Sequence, residues 1–286
     1  MAPGFRRAAG AGAIFLLLVI LAGCSSTRLA YRYADWGIVW WVEDYVTLSS
    51  AQRGQLERDI DELLQWHCRE ELPRYSRWLT DLETGVATGA LNHSKIARHQ
   101  AELFQRLDSL LVAVTPAAVS LLASLNDSQI EELTQSMAED QREKEQEYLN
   151  PDPRKQRLAR AERVRERAEK RLGNLNNPQR QLIATWNRER GDQTRVWLES
   201  RERWQAALLE ALADRKSAGF TDRIEGLIQS PGNVMGAPYR AMAADSRAAL
   251  TDLAADLLAT ADREQRRHLT GQLAELRRDF NALSCR

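Results

Sequence analysis

Apolar side chains recur every three or four positions along most of this chain and nowhere alternate with polar ones over a strand's length. That pattern predicts helices separated by short breaks. One stripe starts at Ser49 and runs through Leu56, Ile60, Leu63/Leu64 and His67 into WHCREELPRYSRWL (66–79). There Pro73 removes a backbone donor, which predicts a kink or break. A second piece carries Trp78, Leu79 and Leu82 toward Gly85 and Gly89. Residues 92–125 predict a helix with Ile96, Leu103, Leu107, Leu110 and Leu111, interrupted at Thr115–Pro116. From Pro178 to Arg215, the residues Leu182, Trp186, Gln193, Trp197, Trp204 and Leu208 are spaced 4, 7, 4, 7 and 4. An eleven-residue repeat keeps such a stripe on one face of a single long helix, with Gly191 marking a bend. Two Ala/Leu-rich helices, about 238–258 and 262–283, end the chain.

Two segments break this pattern. Ile14 to Ala22 is an unbroken apolar run behind Arg6 and Arg7. At about 1.5 Å per residue it falls well short of a hydrocarbon core of roughly 30 Å. It therefore reads as a signal peptide rather than a span. Further on, Tyr31, Tyr33, Trp36, Trp40, Trp41 and Tyr45 crowd into residues 29–48. Interfacial Trp and Tyr near a membrane are one reading. The favoured one is a helix whose Trp36 and Trp40 plug a bundle core, since Asp35, Glu43 and Asp44 suit an anionic surface poorly.

The middle of the chain is polarised. Between Glu131 and Glu147 there are seven acidic and two basic side chains; after Asn150-Pro151-Asp152-Pro153, residues 154–171 hold nine basic and three acidic ones. Opposite charges on two helices joined by a short turn predict an antiparallel hairpin over about 127–172, projecting from the body. The expected fold is thus all-α, an elongated multi-helix bundle with a protruding charged hairpin. Residues 1–23 would be cleaved, 24–28 form a tether, and 29–286 form one helical domain.

Four helix starts share one design: Leu48-Ser49-Ser50-Ala51-Gln52, Leu125-Asn126-Asp127-Ser128-Gln129, Leu175-Asn176-Asn177-Pro178-Gln179 and Ala261-Asp262-Arg263-Glu264-Gln265. In each, a short oxygen-bearing side chain precedes Gln by three, the signature of a capping box. The starts lie 77, 50 and 86 residues apart, so no regular solenoid repeat is present.

Composition narrows the function classes. The chain has 40 basic and 40 acidic side chains, and losing Arg6 and Arg7 barely alters the balance, so no field marks a nucleic-acid binder. His67 with Glu70 and Glu71 lacks the second histidine of an inverted zinc motif, and His93, His99 and His268 offer no ligand spacing. No phosphate loop or nucleophile elbow is present. Neither a metal, a cofactor nor a catalytic residue is expected. The candidate binding surface is the aromatic stripe Trp186, Trp197 and Trp204 with Arg160, Arg163 and Arg167 of the basic helix.

Leu21-Ala22-Gly23-Cys24 resembles the lipobox of bacterial lipoproteins. The resemblance implies a diacylglycerol thioether on Cys24, cleavage before it and acylation of the new amino group. Ser25, where aspartate would imply inner-membrane retention, points to the periplasmic face of the outer membrane. In that oxidising compartment Cys68 and Cys285 can pair; the alternative is a buried thiol and a frayed tail. The first capped start resembles the LTxxQ-type helix starts of the Spy and CpxP periplasmic chaperones, although plain capping accounts for it as well. The lipobox, the Tyr/Trp-rich segment before Leu48–Gln52, WHCREELPRYSRWL and the final capped helix together resemble a family of uncharacterised bacterial lipoproteins. Cys68 stands where that family would have arginine. The expected role is a non-catalytic envelope scaffold, adaptor or chaperone-like protein, held in the bilayer by Cys24, with envelope proteins or anionic envelope polymers as partners. An envelope hydrolase with a concealed carboxylate site is the alternative.

Overall fold

The structure, a computed structural model, describes residues 24–150, 152–191, 193–283 and 285. The apolar run and Leu21-Ala22-Gly23 lie outside them. The described chain is all-α. Its elements are α1 (Cys24–Arg32), α2 (Ala34–Glu43), α3 (Ser50–Trp66), a π turn (His67–Glu71), α4 (Leu72–Ala87), α5 (His93–Ser124), α6 (Asp127–Leu149) and α7 (Pro153–Leu172). They continue with α8 (Asn177–Glu189), α9 (Gln193–Ala213), α10 (Phe220–Gln229), α11 (Pro231–Met235), α12 (Ala237–Ala259) and α13 (Arg263–Ala282).

The kink or break expected at Pro73 takes the form of a π turn, whereas the interruption expected at Pro116 does not occur. Ahead of Pro73 the chain widens into the π turn, where the Leu72 amide donates to the His67 carbonyl five residues back, and α4 follows directly. Pro116 lies inside α5, which runs through without interruption. Its missing N–H leaves the Val112 carbonyl without its usual helical donor, at a residue that is exposed. Beside it the Thr115 hydroxyl donates to the Leu111 carbonyl at 2.6 Å. The expected helix over 178–215, by contrast, is two helices. Arg190 turns extended (φ −81°, ψ 108°) and ends α8, so Trp186 does not share a stripe with Trp197 and Trp204.

The core falls into separate clusters strung along the bundle. Leu133, Met137, Leu208, Leu212, Phe220 and Ile224 join α6, α9 and α10. Val39, Leu56 and Ile60 join α2 to α3. Leu172, Leu175, Ile183, Leu253 and Leu257 join α7, α8 and α12. α13 packs along α4 and also meets α1 and α7, so the chain's end returns to its beginning. α5 is long and apolar enough to cross a membrane. In the fold it packs against α3, α10 and α12.

Two expectations about side chains are corrected. The charged helices do not pair along their lengths: α6 packs on α9, and α7 packs on α8 and α13. The acidic helix finds its counter-charge internally, because buried Asp140 binds Lys144 (2.8 Å) and Arg201 of α9. A close internal partner in a low dielectric outweighs a distant basic helix across water. In α2 the tryptophans are not core. Trp36 is 67% and Trp40 52% exposed, while Val39 of the same helix is buried.

Candidate functional site

The four capped starts are formed as capping boxes, and they meet in pairs. Ser49, Asn126, Asn176 and Asp262 each accept from the amide three residues on, and each Gln returns a bond to the cap amide. Gln52 and Gln129 then exchange side-chain amide hydrogen bonds (3.1 and 2.7 Å), as do Gln179 and Gln265 (2.9 Å each way). Spare donors are used on backbone carbonyls: Gln129 on Thr47, Gln52 on Ser124, Gln179 on Leu257 and Gln265 on Asn174. Every amide is satisfied, so the pairs can be buried without penalty, and each welds two helix starts far apart in sequence.

A second polar cluster surrounds the π turn. His67 is buried, with Nδ1 3.3 Å from the Tyr31 hydroxyl, which itself donates to the Leu64 carbonyl at 3.0 Å. The Tyr31 hydroxyl has one proton for the Leu64 carbonyl and His67 Nδ1, whose role follows the tautomer; Nε2 has no hydrogen-bond partner. Burial lowers the pKa of His67, opposed by the Glu71 carboxylate. It pushes the Tyr31 and Tyr75 hydroxyls up to about 12. Glu71 is fully buried and held by Arg74 at 2.7 Å, with Arg106 at 3.9 Å. Next to it Cys68 is joined to Cys285 by a disulfide. His99 is likewise lowered by burial against Trp78. Unfolded histidines take up a proton near pH 6.5 that both folded ones refuse until lower pH. Stability is therefore fully present above that value and lost as pH falls through it. The urea midpoint should drop between pH 7.5 and 5.5, and His67→Gln should flatten the slope. An unchanged slope in that variant would remove His67 from the account.

A surface groove of about 690 Å³ opens where α8 and α9 meet α12. Trp186, Leu182, Val196, Met242 and Leu253 supply its apolar lining. The Arg190 guanidinium lies 5.5 Å from the Trp186 ring centre, a cation–π contact. Glu189, Asp245, Asp252 and Asp256 stand along the rim, all exposed. Asp252 is met by His93 at 2.5 Å. The acids on α12 follow steps of seven and four, one face of a helix; that spacing was readable in the sequence as a polar stripe.

The expected binding surface is dispersed. Trp186 is in the groove. Arg160 caps the open end of α8, donating to Asn187 Oδ1 (2.7 Å) and to the carbonyls of Asn187 and Arg190 (3.2 and 2.9 Å). Arg163 and Arg167 are exposed on α7. Trp197 meets Tyr148 of α6 edge to face, and Trp204 donates to the Leu227 carbonyl at 2.8 Å beside the α9–α10 core. The structure brings Trp186 and Arg160 to the same end of α8 and leaves the other members elsewhere. Among the described residues no cluster of three or more His, Cys, Asp or Glu side chains is arranged to hold a metal ion.

With the paired boxes and the groove in place, the relationship to other proteins can be stated. The sequence profile described as "Family of unknown function (DUF6279)" matches residues 44–240. The chain belongs to this family. The matched region holds three of the four capping boxes, the π turn and the α8–α9 side of the groove, and it begins just past the tryptophans of α2. No curated protein and no solved structure matches the chain.

Proposed function

We propose that this DUF6279 member is a lipid-anchored lipoprotein of the bacterial envelope with a non-catalytic, scaffold-like role, and that the Trp186 groove holds a segment of a partner protein. The groove's form carries the reading: it is open, floored by apolar side chains, and rimmed by carboxylates that all keep contact with water. An apolar floor with an acidic rim suits a basic, amphipathic segment. The lipobox at Cys24 and the Cys68–Cys285 disulfide both fit an oxidising envelope compartment. Signal-peptide processing, acylation and an outer-membrane address complete the reading.

A photoreactive side chain placed at Ala248, on the groove wall, tests it in cells. The expected result is a discrete protein adduct, lost in Trp186→Ala, with Cys24→Ser moving the chain out of the membrane fraction. Crosslinks only to glycan, or a Cys24→Ser chain still processed and membrane-bound, would sink the proposal.

A further inference from the structure

The helix that follows Cys24 is apolar on two opposite sides. Its inner side, Val39 with Ile38 and Val42, is covered by Leu56, Ile60 and Leu64 of α3. Its outer side is not covered by any other described residue. Leu29, Tyr33, Trp36 and Trp40 are all exposed and follow steps of four, three and four, so they share one face. The face is continuous across the bend at Tyr33, because the Tyr33 amide still bonds the Leu29 carbonyl (3.1 Å) and the Gly37 amide the Tyr33 carbonyl (2.9 Å). Trp36 and Trp40 lie nearly parallel, 6.3 Å apart. Trp41 widens the patch.

We infer that this face lies on the phospholipid surface and orients the body against the bilayer. The inference rests on the lipid anchor proposed at Cys24. Three features select a lipid surface over a protein partner. The exposed side chains are mainly Trp and Tyr, whose rings with a polar edge settle at the headgroup level. The face starts five residues past Cys24, about 8 Å at helical rise, so acyl chains at Cys24 would leave it no way out of the interface. It also presents little net charge. Glu43, one turn beyond Trp40, is bound by Arg53, and Arg32, exposed beside Tyr33, is matched in charge by Asp35, half-buried off the face. The attraction is therefore interfacial rather than electrostatic and does not depend on anionic lipid. With α2 flat on the surface, α3 rides one helix spacing above it, roughly 10 Å, and the bundle is held close instead of swinging on a tether.

The test uses the full lipidated protein in phosphatidylcholine–phosphatidylethanolamine vesicles carrying bromine on their acyl chains. Flotation reads the anchor; bromine quenching of tryptophan emission reads the face. Wild-type emission should fall relative to unbrominated vesicles, and Trp36→Ser/Trp40→Ser should cut that fall sharply, by up to about a quarter of total emission, the share of two tryptophans among eight. Both proteins should float equally, and because both side chains are exposed their melting temperatures should agree. Floating protein with equal quenching in both forms overturns the orientation alone. Protein that does not float overturns the anchor and the orientation with it. A dimer in detergent that dissociates in the double variant overturns the inference in favour of a second copy.

Discussion

Gln179→Ala should destabilise the protein by about 3–5 kcal/mol, far more than a surface truncation, because its amide makes four bonds at a site closed to water. Oε1 accepts from the Asn176 amide (3.0 Å) and the Gln265 side chain (2.9 Å); Nε2 donates to Gln265 (2.9 Å) and to the Leu257 carbonyl (3.2 Å). Alanine leaves each of these partners short of a bond, Gln265 and Leu257 in the buried interior and Asn176 at its half-buried edge. Gln265→Ala should cost about as much. The double variant should cost much less than the sum of the two, by about 1–2 kcal/mol, because the second truncation removes groups the first has already orphaned. Urea unfolding of the four proteins measures this. Additive losses, or a single loss under about 1 kcal/mol, would show that the paired amides do not act as a unit. Gln52, closer to the surface, should cost nearer 1 kcal/mol, the ordinary magnitude for a helix cap.

Cys285→Ser should have an effect of similar size, about 3–5 kcal/mol, by a different route. The Cys68–Cys285 bond spans 217 residues, nearly the whole described chain, so opening it restores loop freedom to the unfolded ensemble over most of its length. It also loosens the tail of α13, otherwise held to α4 by Phe280 on Tyr75 and by Ser76 with Asn281 (2.7 Å), and to α1 by Arg28 with Asp279 (2.6 Å). A chain of this length should lose roughly 5–10 °C in Tm. The same fall should follow reductant in the wild type and be absent in the variant, and differential scanning calorimetry reads both. A wild-type Tm unmoved by reductant would mean that the bond contributes nothing.

Sequence patterns of local origin carried over into the structure. The four boxes formed because a cap needs only residues within one turn of each other. The all-α class followed from apolar spacing alone. At Pro73 the expected kink or break took the form of a π turn; at Pro116 the expected interruption did not occur, and that error was also local in kind. Proline removes a donor wherever it falls, but a π turn or a water-facing carbonyl can absorb the loss, and neither leaves a mark in residue types. The joint at Gly191 was anticipated as a bend. It became a break because Arg160, thirty residues from Arg190, supplies the donors that let α8 end there.

Covering a helix face is a property of the assembled chain. The residue types of α2 are compatible with Trp36 inward or outward, and only the seating of Val39 on Leu56 and Ile60 decided for outward. Equally, nothing in the composition of the acidic helix says that its counter-charge is Arg201 rather than the basic run that follows it. The sequence by itself determined the helices, their caps and the lipobox resemblance, since each depends on neighbours a few residues apart. Tertiary structure alone decided which boxes pair, where the groove opens and which face of α2 is left bare, since each depends on contacts between helices dozens of residues apart.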